Sequence, residues 1–163
     1  MRAVHVEEPC AVRGPGGFAG AQDPQWSPDG REIAFQGNNG IYTVNADGTH
    51  LARIAAAGAG AGEPAWSPDG TKLLYVNSSH NYAANGAETT QLWTINADGS
   101  GNRRIYQLAT SGRWPPPFWS PDGKHIAVAT NAGVYVMNAD GSGVRRVGEP
   151  ADEVAWQPIP STR

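Results

Sequence analysis

The sequence predicts an all-β fold: three four-stranded antiparallel meanders plus an extra strand, stacked as blades of a β-propeller. Three observations predict it. Trp-Ser-Pro-Asp-Gly occurs at 26–30, 66–70 and 119–123, and a degenerate fourth copy begins at Trp156-Gln157-Pro158. Asn-Ala-Asp-Gly follows each full copy, at 45–48, 96–99 and 138–141. Short β-like runs lie between these markers, and helix formers never gather at a 3.6-residue period.

Each marker has a mechanical reading. In Ser-Pro-Asp-Gly, the prolines Pro28, Pro68 and Pro121 preset φ at the first turn position. Asp29, Asp69 and Asp122 suit the second, and Gly30, Gly70 and Gly123 take the left-handed position that follows. Asn-Ala-Asp-Gly supplies a second tight turn, with Asn as its opening cap. Trp26, Trp66 and Trp119 sit at one place in every repeat, so they read as scaffold. Three copies of a turn aspartate likewise read as scaffold and not as a catalytic cluster.

The runs between the turns supply the strands. Ile33-Ala34-Phe35, Leu73-Leu74-Tyr75-Val76 and Ile126-Ala127-Val128-Ala129 follow the first turn. Ile41-Tyr42-Thr43-Val44, Leu92-Trp93-Thr94-Ile95 and Val134-Tyr135-Val136-Met137 precede the second. Nearly continuous apolar runs require cover on both sheet faces. The runs after the second turn alternate, as in Leu51-Ala52-Arg53-Ile54 and Val144-Arg145-Arg146-Val147, which suits an outer edge with one wetter face. A lone blade cannot bury two faces, so neighbours must stack.

The expected organisation is an N-terminal segment 1–22, repeats over 23–158 and a tail 159–163. Blades are expected at about 23–62, 63–115 and 116–150, with an orphan strand at 151–158. Propellers have roughly four to eight blades, and three do not close a ring. The chain is therefore expected to be part of a longer propeller, or half of a six-bladed ring formed by a homodimer. In the second case the strand around Trp156 would pair across the chain boundary, with Val4-His5-Val6 as a candidate closing strand.

The Trp-Ser-Pro-Asp-Gly, Ile-Ala-Phe and Asn-Ala-Asp-Gly series resembles the WD-like repeats of the TolB family of β-propellers, over about residues 23 to 158. The resemblance implies an extracytoplasmic bacterial propeller that binds a protein or peptide at one disc face or its channel. It implies a periplasmic or extracellular location, although Met1 to Gly20 carries Arg2 without an apolar run after it and shows no signal peptide.

Composition removes several classes. The net charge is -3 and charged residues make up 17%, which argues against nucleic-acid binding. Arg103-Arg104 and Arg145-Arg146 read as solvated strand faces. One cysteine, Cys10, excludes an internal disulfide and a multi-cysteine zinc site. No apolar run approaches the ~20 residues of a membrane span. Gly-x-Ser-x-Gly is absent, as is a phosphate-cradling loop with Lys. His5, His50, His80 and His125 share no metal-ligand spacing. An EF-hand count from the Asn-Ala-Asp-Gly glycine places Ile54, Ile105 and Val147 where a bidentate Glu belongs. The expectation is a non-enzymatic binding or scaffold module with no cofactor and no metal.

In an up-and-down meander alternate turns share an end, so both tight-turn classes lie on one rim. The variable connections lie on the other. These are Gly37 to Gly40, the insertion near Asn77 to Thr90, and the inter-blade segments Ala55 to Gly62 and Ala109 to Pro117. Trp66 to Asn96 is 30 residues where the other two copies have 19, so the insertion is 11 residues. Loops on a rigid scaffold are where binding sits. His80, Tyr82 and Asn85 in the insertion, with Arg113 and Trp114 in the stiff Arg-Trp-Pro-Pro-Pro segment, are the candidate partner-binding residues. A plain hairpin and a Trp114 packed under its own loop also fit these segments. Carbohydrate or small-ligand binding, a remnant of a propeller enzyme, and self-assembly as the whole function are the alternatives.

Overall fold

A computed structural model describes residues 20–56, 60–80, 88–109, 116–130 and 132–149. They form twelve strands in three sheets, each a four-stranded antiparallel meander in sequence order. The first sheet holds β1 (Gln22–Trp26), β2 (Glu32–Gly37), β3 (Gly40–Asn45) and β4 (Ala52–Ala56). The second holds β5 (Ala61–Trp66), β6 (Lys72–His80), β7 (Glu88–Asn96) and β8 (Arg103–Ala109). The third holds β9 (Phe118–Trp119), β10 (His125–Thr130), β11 (Gly133–Asn138) and β12 (Arg145–Gly148). The fold is that of a propeller, with three blades among the described residues.

The continuous apolar runs are explained by stacking on both sides of the middle blade. Successive strand residues point to opposite faces. Leu73, Tyr75 and Ile95 pack with Ala34, Ile41 and Ala55 of the first blade. Their neighbours Leu74, Val76 and Leu92 pack with Ile126, Val128 and Met137 of the third. Leu73, Leu74, Leu92 and Ile126 are wholly buried. Each such side chain contributes about 1.5–3 kcal/mol when removed from water.

Three further contacts repeat at both blade junctions. The Trp66 indole N–H donates to the Gln25 carbonyl at 3.1 Å, and Trp119 donates to the Ala65 carbonyl at 3.1 Å. A Cβ at Gly70 would lie 3.7 Å from Pro28 Cδ, and one at Gly123 would lie 3.7 Å from Pro68 Cδ. At the outer edge, a Cβ at Gly99 would lie 3.5 Å from the Ile54 carbonyl oxygen, and one at Gly141 only 2.1 Å from that of Ile105. Inner strand, first turn and second turn of the second and third blades therefore all touch the blade before.

Several boundaries differ from the sequence expectation. The insertion at 77–90 is not loop throughout. Asn77 to His80 and Glu88 to Thr90 are paired strand, with His80 opposite Glu88. Polar residues there continue the ladder because the pairing on both sides is already in register. Of the segment 55–62, Ala55 and Ala56 close β4, and Ala61 and Gly62 open β5. The backbone of Gly60 sits against Ser78, whose carbonyl oxygen would be 1.8 Å from a Cβ, so only glycine fits this approach. Strand β9 has just two residues; unlike β1 and β5, it has a second proline, Pro116, just ahead of the one they share, and this too lacks an N–H for the ladder. The expected strand at 151–158 and the segment 1–19 lie outside the described residues, so the orphan strand is not placed.

Leu74→Ala, at a wholly buried position between the second and third blades, is expected to cost about 2–5 kcal/mol in urea unfolding. Gly48 and Gly141 occupy the same turn position with φ of 84° and 89°. Gly48→Ala meets no atom within 4 Å and should cost only the left-handed penalty, about 1–2 kcal/mol. Gly141→Ala also drives Cβ into the Ile105 carbonyl and should cost clearly more. Equal costs at the two sites would contradict the outer-edge contact.

Candidate functional site

The propeller offers two rims, and their chemistry differs. One is built from the tight turns. In the first, Gly30 N–H donates to the Ser27 carbonyl at 2.9 Å, and Gly30 has φ 71°. The Ser27 hydroxyl donates to Asp29 Oδ1 at 2.7 Å and accepts from Glu32 N–H at 2.9 Å. Ser67 and Asp69 repeat this at 2.6 Å, as do Ser120 and Asp122 at 2.6 Å. In the second turn class, Asn45, Asn96 and Asn138 each place their side-chain amide 2.9 Å from the hydroxyl four residues on. The aspartates of these turns accept the N–H two residues on, at 2.9 Å each.

These bonds act on the carboxylates. Hydroxyl donation from Ser27, Ser67 and Ser120, followed by backbone N–H donation, holds Asp29, Asp69 and Asp122 below the usual carboxylate value. Thr49, Ser100 and Ser142 act the same way on Asp47, Asp98 and Asp140. Each of the six is committed to its own turn. Between adjacent turns lie shallow clefts. One of 370 Å³ is lined by Pro68, Asp69, Lys72, Trp119 and Asp122, and one of 300 Å³ by Pro28, Asp29, Pro68 and Asp69.

The opposite rim is less regular. Strands β6 and β7 have nine residues each, against six in β2, β3, β10 and β11. The second blade therefore extends past its neighbours there. Among the candidate residues, His80 ends β6, which carries it to this rim. Tyr82, Asn85, Arg113 and Trp114 lie outside the described residues, so the structure does not bring the set together.

On the same rim, between the first two blades, is a cleft of 220 Å³ lined by Gln22, Asp23, Gln36, Glu63 and Ser78. Asp23 and Glu63 are equivalent, each three residues before its blade's tryptophan. Both have left-handed backbones, φ 51° and 55°, and both sit where the inner strand's register shifts. Each also precedes a proline, which normally imposes extended geometry. Left-handed non-glycine residues cost about 1–3 kcal/mol and collect at functional positions. The sequence analysis missed this pair. Asp23-Pro24 and Glu63-Pro64 at equal distance from Trp26 and Trp66 were the available signal; Pro116 takes the same place in the third blade. No group of three or more His, Cys, Asp or Glu is placed to hold a metal among the described residues.

The TolB beta propeller domain family matches residues 15–133, well over half of the chain. The chain belongs to this family. Among solved structures, a protein assigned as TolB from Agrobacterium tumefaciens is 25% identical, with a TM-score of 0.59, over 74% of this chain and 46% of its own. TolB from Acinetobacter baumannii is 19% identical, with a TM-score of 0.58, over 85% of this chain and 34% of its own. Acylaminoacyl peptidase from Pyrococcus horikoshii is 20% identical, with a TM-score of 0.61, over 80% of this chain and 25% of its own. The last two are likenesses of fold. The chain spans less than half the length of each of these proteins. A comparison with curated proteins finds no match.

The turn carboxylates give a pH prediction. Their folded pKa values are depressed, so the stability they contribute is complete above the unfolded value of about 3.8–3.9. It is lost as pH falls through that value toward the folded one. Urea midpoints should be alike at pH 7 and pH 5 and lower at pH 3. Asp69→Asn with Asp122→Asn should make that fall smaller; an unchanged fall would remove the turns as its cause.

Proposed function

We propose that this TolB-family chain is a non-enzymatic binding module that holds variable loops on one rim for a protein or peptide partner. The contrast between the rims carries this reading. On the turn rim the polar groups of six near-identical turns are spent on one another. On the other, the β6–β7 hairpin extends by three residues per strand and the inter-blade connections vary. Such a surface suits recognition by aromatic and amide side chains, with His80, Tyr82, Asn85, Arg113 and Trp114 as the contacting residues. Family membership supports a propeller scaffold, and that scaffold serves many functions. The reading includes self-association, two chains completing one ring as a homodimer.

A second reading is supported by the cleft between the first two blades. Its carboxylates, carboxamides and hydroxyl suit a small polar ligand such as an oligosaccharide.

Random-peptide display against the immobilised chain is expected to enrich a consensus peptide. Its affinity should fall at least about tenfold in Arg113→Ala or Trp114→Ala, and stay unchanged in Asp47→Asn on the turn rim. No enrichment, with saturable oligosaccharide binding lost in Gln36→Ala, would favour the second reading.

A further inference from the structure

The cleft between the first two blades departs from the repeat at one position. Ten residues after the blade tryptophans stand Gln36, Val76 and Ala129. Val76 and Ala129 are buried, and Val76 packs against the third blade with Ile126 and Val128. Gln36 holds the same place on the face of β2 that meets the second blade. Ala34, two residues before it, packs on that face with Leu73 and Tyr75. A carboxamide at a stacking position gives up apolar burial, so stacking does not account for Gln36.

The second blade makes room for this side chain. A Cβ at Gly62 would lie 2.3 Å from Gln36 Oε1, so the carboxamide lies over bare backbone. Beside it the Gly60 backbone closes on the Ser78 carbonyl. Gln22 and Asp23 line the cleft from β1, and Asp23 and Gln36 are half-buried. No hydrogen bond or ion pair joins the side chain of Gln22, Asp23, Gln36 or Ser78 to another described residue. The turn-rim aspartates, by contrast, each bond their own turn. The lining includes no Lys, Arg or His and no aromatic ring, which leaves hydrogen bonding and negative charge as its means of recognition.

The acceptors set the ligand. An ionised Asp23 only accepts, and the Gln22 and Gln36 carboxamide oxygens and the Ser78 hydroxyl add acceptors. These come from β1, β2 and β6, so they surround the cleft. A group that satisfies them from inside 220 Å³ must donate in several directions and carry positive charge. A guanidinium has five N–H donors in a planar fork and keeps its charge, whereas an ammonium is a point charge. Ser78 lies on β6 two positions before His80, so the cleft adjoins the insertion assigned to the partner.

We propose that this cleft receives an arginine side chain of the peptide partner, its guanidinium paired with Asp23 and bonded to Gln36 and Ser78. The inference rests on the partner-binding reading above and names a partner residue that reading leaves open.

Nα-acetylarginine methylamide, titrated into the isotope-labelled full chain and followed by backbone amide shifts, tests this. Saturable shifts are expected at Asp23, Gly62 and Ser78. Asp23→Asn and Gln36→Val should each weaken binding at least about tenfold. Asparagine tolerates the left-handed backbone of Asp23, and valine is what the second blade carries at the Gln36 position, so neither variant should lower the urea midpoint. The matching citrulline compound, of the same shape without the charge, should bind the unsubstituted chain at least about tenfold more weakly. No saturable arginine binding overturns the proposal, as does binding unchanged in both variants or matched by citrulline. Saturable binding of calcium chloride or of an oligosaccharide, with none of arginine, gives the cleft to a cation or to the second reading and overturns it too. In the peptide display, the consensus should carry an arginine and lose affinity in Asp23→Asn. A consensus without a basic residue, indifferent to Asp23→Asn, leaves the partner reading standing and overturns this inference. Arginine binding with no enriched peptide overturns the partner reading and leaves the cleft an arginine site.

Discussion

A blade of this protein cannot be stable alone, because its two middle strands are apolar on both faces. That constraint governs the rest of the structure. Leu73 and Leu74 are consecutive and both wholly buried, which requires a neighbouring sheet on each side of β6. Nonpolar stacking supplies most of the energy but little registry, since it is non-directional. The indole-to-carbonyl bonds from Trp66 and Trp119 supply the registry at the inner strand. The proline–glycine contact between turns and the glycine–isoleucine contact at the outer edge hold the same alignment further out.

This division of labour explains why the repeated motifs sit on one rim. A tight turn that must also touch the next blade has little freedom in sequence. Gly141 has a positive φ and no room for a Cβ against Ile105, so two independent demands fall on one residue. The aspartates bond their own turn's hydroxyl and amide, which keeps the turns rigid and leaves their charge engaged at home. The opposite rim is under no such demand. There the second blade lengthens its central hairpin, and the inner strands tolerate the left-handed Asp23 and Glu63. Variation gathers where the stacking contacts do not reach.

Much of the fold was legible in the sequence because repetition turns local signals into architecture. One Ser-Pro-Asp-Gly predicts a turn; three at blade spacing predict stacked meanders. The strand cores around Ile33, Leu73 and Ile126 followed from apolar runs between turns. Strand ends were less legible. The β6–β7 ladder runs on through Asn77 and Ser78, whose side chains carry little β signal, because pairing established by Leu74 and Leu92 extends along both strands. The polar cleft was illegible for another reason: Gln22, Asp23, Gln36, Glu63 and Ser78 come from four strands of two blades, and no spacing in the chain announces their meeting.

By itself the sequence determined that the chain is all-β, that its unit is a four-stranded meander with two tight turns, and that these turns share a rim. It did so because turn chemistry and a period-2 strand are local properties, copied here three times. Only the tertiary structure decided which face of each strand meets which neighbour, and that the tryptophan of one blade is held by a carbonyl of the blade before. It also left Trp26 and Val147 exposed. Those are properties of stacking, and stacking depends on residues some 40 to 54 positions apart that become neighbours only when sheets pack.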